Sequence, residues 1–408
     1  MRKNVFILCC LGMVILLNHR AFSQKITIEK SYPEAFLRAY DNYVNKNDAA
    51  SFEQFSALVE QTPQDREELL QDIMFYRASS AYEMMNKDAD ALLCEFISLC
   101  PQSSHCNEAY FLLANFYARG ERYDQAIEVY SKMNVAILNQ DDKFEYYYKR
   151  GHCLFMLNRY DEALEEFDKV KDAKSKFAAP STYFYAHILY EQGRYNLALK
   201  EFLTLQEDKS FGKIVPYYIA HIYYYQENYE ELIKIAPSLS EKSQSKRSGE
   251  LNRMLGDAYY KLGQYKEATP YLIKAAEQEG ADVQDYYLLG FSLMEEKDFK
   301  QAKTYLAKAI EKKDSLAQNA LYHLGICCIE TNDKSNAKAM FKEASEMDFD
   351  MTIKEKALLN YAKVACETSS AYNEPLKAFQ TFTEQFPNSD KANEAKEYLA
   401  QLYGEMKN

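Results

Sequence analysis

Between Leu251 and Ala309 the chain repeats itself: Leu255-Gly256 returns as Leu289-Gly290, a step of 34 residues. At the same step Tyr265 becomes Phe299, Ala268 becomes Ala302, Leu272 becomes Leu306 and Ala275 becomes Ala309. A period of this length belongs to solenoids built from helix pairs. Each half reads as a first helix, a short polar turn and a second helix. Gly256 and Ala268 fall on successive antiparallel helices, where only a short side chain lets the backbones approach closely. Leu255, Tyr259 and Leu272 fill the space around that contact. One pair cannot bury its own apolar face, so it needs neighbours on both sides.

The period propagates. A small residue recurs at Ala114, Gly151, Ala186, Ala220, Gly256, Gly290, Gly325 and Ala362. The second helix is marked by Tyr123-Asp-Gln-Ala126, Tyr160-Asp-Glu-Ala163 and Tyr195-Asn-Leu-Ala198. An aromatic residue followed three later by Ala puts both on one helical face. Weaker units lie upstream around Ala39 and around Ser79 or Ser80, with Phe55 and Phe96 in their second helices and Pro63 and Pro101 as stops. About ten repeats and roughly twenty helices are expected. Twelve Gly and nine Pro in 408 residues agree with few loops and much helix.

These residues resemble the tetratricopeptide repeat, with Gly256 at its eighth position. The resemblance covers Ser31 to the end and implies an all-α, right-handed superhelical solenoid over residues 24–408. The pattern is interrupted at 134–142, expected to be a loop, and at 236–249, expected to be a soft joint. Pro375 stands where a packing Ala is usual, in the first turn of its helix. The segment around Phe386-Pro387-Asn388-Ser389 is similar to the C-terminal part of periplasmic and outer-membrane-assembly repeat proteins.

At the start, Arg2 and Lys3 precede an apolar run from Val5 to Leu17, and Ala21-Phe22-Ser23 follows. That is a signal peptide over 1–23, with a cut before Gln24. A membrane span needs about 20 apolar residues, and Asn18-His19-Arg20 end the run early. Cys9 and Cys10 lie within the apolar run, not after a small-residue box, so no lipid anchor is expected. The protein is expected in the periplasm or at the outer-membrane periphery, without a spanning segment in its mature form. Removing Arg2, Lys3 and Arg20 takes the net charge from −12 to −15. Such a balance disfavours nucleic acid, which needs basic grooves.

Seven cysteines follow the cut: Cys94, Cys100, Cys106, Cys153, Cys327, Cys328 and Cys366. An odd number in an oxidising compartment leaves at least one free thiol. Cys100 and Cys106 flank Pro101 at a turn, and either a disulfide there or two small core residues fits the spacing. No zinc spacing, phosphate loop, nucleophile elbow or HExxH motif occurs. Neither an enzyme nor a cofactor is expected.

The resemblance further implies an inner wall lined by first helices at positions five, nine, twelve and thirteen. Position five gives Phe111, Tyr148, Tyr183, Tyr217, Arg253, Tyr287 and Tyr322; positions twelve and thirteen add Tyr190, Tyr224, Tyr225 and Tyr260. With 35 Tyr and no Trp in the chain, these rings form either an aromatic ladder for a partner or ordinary repeat packing. Position nine holds His152, His187 and His221, a row expected to gain charge near pH 6. The expected partners are other proteins, envelope components or extended peptides; glycan or peptide ligands in uptake are the alternative. Chaperone-tail binders of the family carry a Lys/Asn clamp. Asn115 and Lys149 match two of its positions, but Pro180 and Phe184 replace its paired basic residues, so that activity is not expected. The last first helix, 393–404, sets Leu399, Ala400 and Tyr403 at positions seven, eight and eleven. The chain is expected either to be a fragment that associates through this end or to use the helix as a polar cap.

Overall fold

The computed structural model describes residues 32–235, 246–368 and 372–406, which hold 21 α-helices and no strand. The leader expected at 1–23 and most of the 236–249 interruption lie outside the described residues. The helices divide between two compact units, one reaching Lys213 and the other beginning at Ile214.

The first unit contains five helix pairs: α1 (Glu34–Val44) and α2 (Asp48–Gln61), α3 (Glu67–Glu83) and α4 (Ala89–Leu99), α5 (Cys106–Arg119) and α6 (Tyr123–Ser131), α7 (Gln140–Met156) and α8 (Tyr160–Lys171), α9 (Ala178–Glu191) and α10 (Tyr195–Thr204). The second contains α11 (Val215–Tyr225) and α12 (Tyr229–Ile235), α13 (Lys246–Lys261) and α14 (Tyr265–Ala276), α15 (Val283–Glu295) and α16 (Phe299–Lys308), α17 (Ser315–Glu330) and α18 (Lys334–Ser345), α19 (Met351–Thr368) and α20 (Asn373–Gln385). A single helix, α21 (Ala392–Glu405), closes the described chain.

The boundaries follow local chemistry. Tyr123, Tyr160, Tyr195, Tyr229, Tyr265 and Phe299 each open a second helix, as the repeat pattern requires. Two residues before each opening the backbone enters the left-handed region, at Glu121, Asn158, Gly193, Glu227, Gly263 and Lys297. Pro63 and Pro101 follow the ends of α2 and α4, where a missing N–H cannot continue the helix. Pro375 is buried within the first turn of α20, where that N–H has no helical partner in any case. The loop expected at 134–142 ends at Asn139: it contains one 3-10 turn, Val135–Ile137, and α7 begins at Gln140, capped by Asn139, which accepts from the Asp142 N–H at 2.9 Å.

The small residues at position eight, from Ala114 to Ala362, are buried. A methyl built on Gly290 would lie 2.9 Å from the Leu306 backbone nitrogen and 2.7 Å from its Cγ, so α15 and α16 touch with no room for a side chain. Around these contacts Leu289, Ala302, Leu306, Phe341, Phe379 and Phe382 form one continuous core in the second unit. In the first, Phe36, Phe55, Phe96, Phe167 and Phe202 fill the same layer. Burying such side chains stabilises each by about 1.5–3 kcal/mol.

Candidate functional site

Positions five to thirteen of the first helices fall into two classes. Tyr148, Tyr183 and Tyr287 are buried. Tyr148 stacks on Phe177 at 5.4 Å, and Tyr183 stacks on Phe211 at 4.8 Å and meets Phe202 at 6.3 Å. Phe177 and Phe211 come from the turns that follow the second helices, and they cover rings that the repeat pattern alone would leave on the wall. The expectation that all position-five tyrosines line an open surface is therefore corrected: these three serve mainly as packing.

Phe111, also at position five, is buried as well, and the other rings stay accessible. Tyr190, Tyr217, Tyr224, Tyr260 and Tyr322 are half-buried, and Tyr225 is 55% exposed. Several are tied to the next repeat through their hydroxyls. Tyr217 donates to Glu250 Oε2 at 2.6 Å, and Tyr224 donates to Asp257 Oδ2 at 2.7 Å. Burial and the Asp257 carboxylate both hold the Tyr224 hydroxyl protonated, well above the usual range. Arg253 makes two parallel bonds to the buried Asp285 carboxylate, each 2.5 Å. That fork fixes the guanidinium and neutralises it. Arg253 thus joins α13 to α15 and offers no net charge to a ligand.

The histidines also depart from expectation. His152 meets Phe184 edge-on at 5.2 Å, and His187 meets Phe155 edge-on at 5.8 Å. Burial pushes both imidazoles down to about 4. His221, in the second unit, is also lowered by burial, against the opposing pull of Glu250. His152 and His187 are therefore neutral at pH 6, against the protonation expected there, and His221 is shifted in the same direction.

His105 is not among the residues expected to matter. It caps α5, buried against Phe75 with ring centroids 4.3 Å apart, and its Nε2 lies 3.2 Å from Asp72 and its Nδ1 3.9 Å from Glu108. Burial lowers this imidazole, but the two carboxylates outweigh it and raise it to about 9. Tyr32 donates to the other Asp72 oxygen at 2.6 Å. The only forewarning is the spacing of Asp72, His105 and Glu108 on neighbouring first helices, which needs the fold to be read.

Asn115 and Lys149, the two residues that match the clamp pattern, have internal partners. Tyr130 donates to Asn115 Oδ1 at 2.6 Å, and Lys149 pairs with Glu145 at 2.8 Å. Cys100 and Cys106 are buried and unbonded, and the other described cysteines are free as well. Among the described residues no His, Cys, Asp and Glu group converges to hold a metal ion, and no helix is long and apolar enough to cross a membrane.

Stacked helix pairs with a first-helix face define a helix-pair repeat protein. Five segments match the model of the tetratricopeptide repeat family, at residues 108–132, 144–177, 251–282, 286–311 and 318–351. The chain carries tetratricopeptide repeats, a type of scaffold consistent with protein–protein interaction.

Signal recognition particle subunit SRP72 of Dictyostelium discoideum is 26% identical over 220 residues, covering 52% of this chain and 31% of its own. The chain thus spans about a third of that relative's length. Among solved structures, YrrB, described as a tetratricopeptide repeat protein with an unusual peptide-binding site, is 24% identical. It covers 44% of this chain and 91% of its own at a TM-score of 0.39. The C-terminal part of a repeat protein from Cytophaga hutchinsonii is 19% identical, covering 70% and 98% at a TM-score of 0.37.

Proposed function

We propose that this protein is an exported scaffold that docks a protein partner at the cell envelope through its first-helix faces. The observation that carries the reading is the accessible aromatic set: Tyr190 in the first unit, and Tyr217, Tyr224 and Tyr225 in the second. These rings stay accessible while Tyr130, Tyr148 and Tyr183 are taken into the packing, and Tyr is enriched at binding hot spots. Export rests on the leader pattern at 1–23. The mass of the N-terminal peptide from the mature protein tests it, with Gln24 as the expected first residue.

A photo-crosslinker placed at Tyr225 in the native cell should attach a specific envelope protein. Tyr190→Ala with Tyr225→Ala should lose that partner, while Leu203→Ala on a second helix keeps it. Retention of the partner by the double variant would overturn the reading. Saturable binding of a sugar, with no protein captured, would favour glycan uptake instead.

A second contact is proposed at α21. Ala400 occupies position eight yet is exposed, while the position-eight residues upstream are buried. Tyr403 and Met406 are 44% and 48% exposed. Self-association through this face predicts a mass that rises with concentration and stays monomeric in Tyr403→Glu.

A further inference from the structure

Three cations in the first unit come from successive repeats, and each is seated on an aromatic ring. Arg119 lies 4.3 Å from the Tyr82 centroid, Lys149 lies 4.7 Å from that of Phe111, and Lys176 lies 4.9 Å from that of Phe177. Phe177 stacks on Tyr148, the neighbour of Lys149, so two of the cations share one aromatic wall.

Two of the three charges are uncompensated, and the third is paired inside the protein. Lys149 is half-buried and pairs with Glu145, whose side chain is almost fully enclosed. Arg119 and Lys176 are exposed, and neither has an ion-pair partner among the described residues. Burial lowers the Lys149 ammonium, Glu145 opposes this, and Arg119 and Lys176 add like-charge repulsion. In a chain of net charge −12, two exposed cations without an ion-pair partner beside a paired third stand out. A cation resting on a ring keeps its charge and donors while its stem is held in place, so little ordering remains when an anion arrives.

We propose that this basic stripe recognises acidic side chains along an extended protein segment. The proposal rests on the reading of the first-helix faces as a partner surface, and it gives that partner a chemistry. It differs from capture of a chain end, because the cations are distributed over three repeats and do not converge on one carboxylate.

The test uses the full mature chain and a labelled peptide alternating Glu and Ser with an amidated C-terminus, followed by fluorescence anisotropy. The same peptide with Gln or Lys in place of Glu is the control. The Glu peptide should bind, weaken as salt rises, and lose about tenfold in affinity with Arg119→Gln and Lys176→Gln together. Both positions are exposed, and an unchanged melting temperature verifies that the variant is folded. Unchanged affinity in the double variant, equal binding of the Gln peptide, or a strict need for a free C-terminal carboxylate would overturn the proposal. So would tighter binding of single-stranded nucleic acid than of the Glu peptide. Capture of the cellular partner by the double variant would remove this inference and leave the scaffold reading intact.

Discussion

The two units build the same repeat with different fastenings. In the first, charge is carried into the packing. His105 sits between Asp72 and Glu108, Glu145 pairs with Lys149, and the buried Glu166 is held by Arg150 and by Lys169 at 3.1 Å. In the second, neutral polar groups and close backbones do more of this, beside the Arg253–Asp285 fork. Gln318 is fully buried, donates to the carbonyls of Ala344, Met347 and Asp350, and accepts from the Asp350 N–H at 2.7 Å. One amide thereby fixes the turn after α18. Glycine fills position eight at Gly256, Gly290 and Gly325, against Gly151 alone among the corresponding residues of the first unit. The repeat specifies where a small residue and an aromatic must stand, and leaves the polar fastening open.

The largest expected effect tests the tight contacts of the second unit. Gly290→Leu should destabilise that unit by about 3 kcal/mol, because an added side chain meets the Leu306 backbone. Gly151→Ala should cost about 1 kcal/mol, since its nearest neighbours are the side chains of Phe167 and Glu166, at 3.0 and 3.1 Å, which can yield. Hydrogen exchange should show the Gly290 effect concentrated in neighbouring repeats. Equal loss of protection throughout the chain would contradict a nearest-neighbour array.

The next effect tests the ionic fastening. The folded pKa of His105 is raised to about 9 from an unfolded value near 6.5. Its contribution is therefore fully present below about pH 6.5 and is lost as pH rises through 9, with a magnitude of about 3 kcal/mol. His152 and His187 act in the opposite sense. Their folded pKa is depressed to about 4, so their contribution is present above pH 6.5 and is lost on acidification toward 4. Urea denaturation of His105→Gln should show a smaller loss of stability between pH 7 and 9.5 than the parent. A parallel pair of pH profiles would remove the charged-imidazole account.

Arg253→Leu comes next, at about 2 kcal/mol, because it leaves the fully buried Asp285 carboxylate without its fork. Asp285 keeps its bonds within the α15 capping box, which limits the loss. Asp285→Asn with Arg253→Leu should recover part of it, and a thermodynamic cycle measures the coupling.

The smallest effect has the opposite sign. Lys297 has φ 66° in the turn before α16, where Gly263 stands one repeat earlier at φ 70°. Lys297→Gly should stabilise by about 0.5–1 kcal/mol by relieving the left-handed strain. A destabilised variant would mean that the Lys297 side chain holds the turn by contacts that outweigh this strain.

The sequence by itself determined the repeat length, the position-eight residues and the aromatic openings of the second helices. The tight contacts lie within each helix pair, as Gly290 against Leu306 and Gly325 against Phe341, so their residues recur as a readable period. It also marked where tyrosines and histidines face the first-helix side. Tertiary structure alone decided which of them remain accessible. Tyr148 and Tyr217 share position five, yet Phe177 covers the first while Glu250 takes the hydroxyl of the second. The charge on His105 and the neutrality of His152 and His187 were equally hidden. A pKa depends on desolvation and on carboxylates brought in from other helices, and residue type repeated at a fixed spacing carries neither.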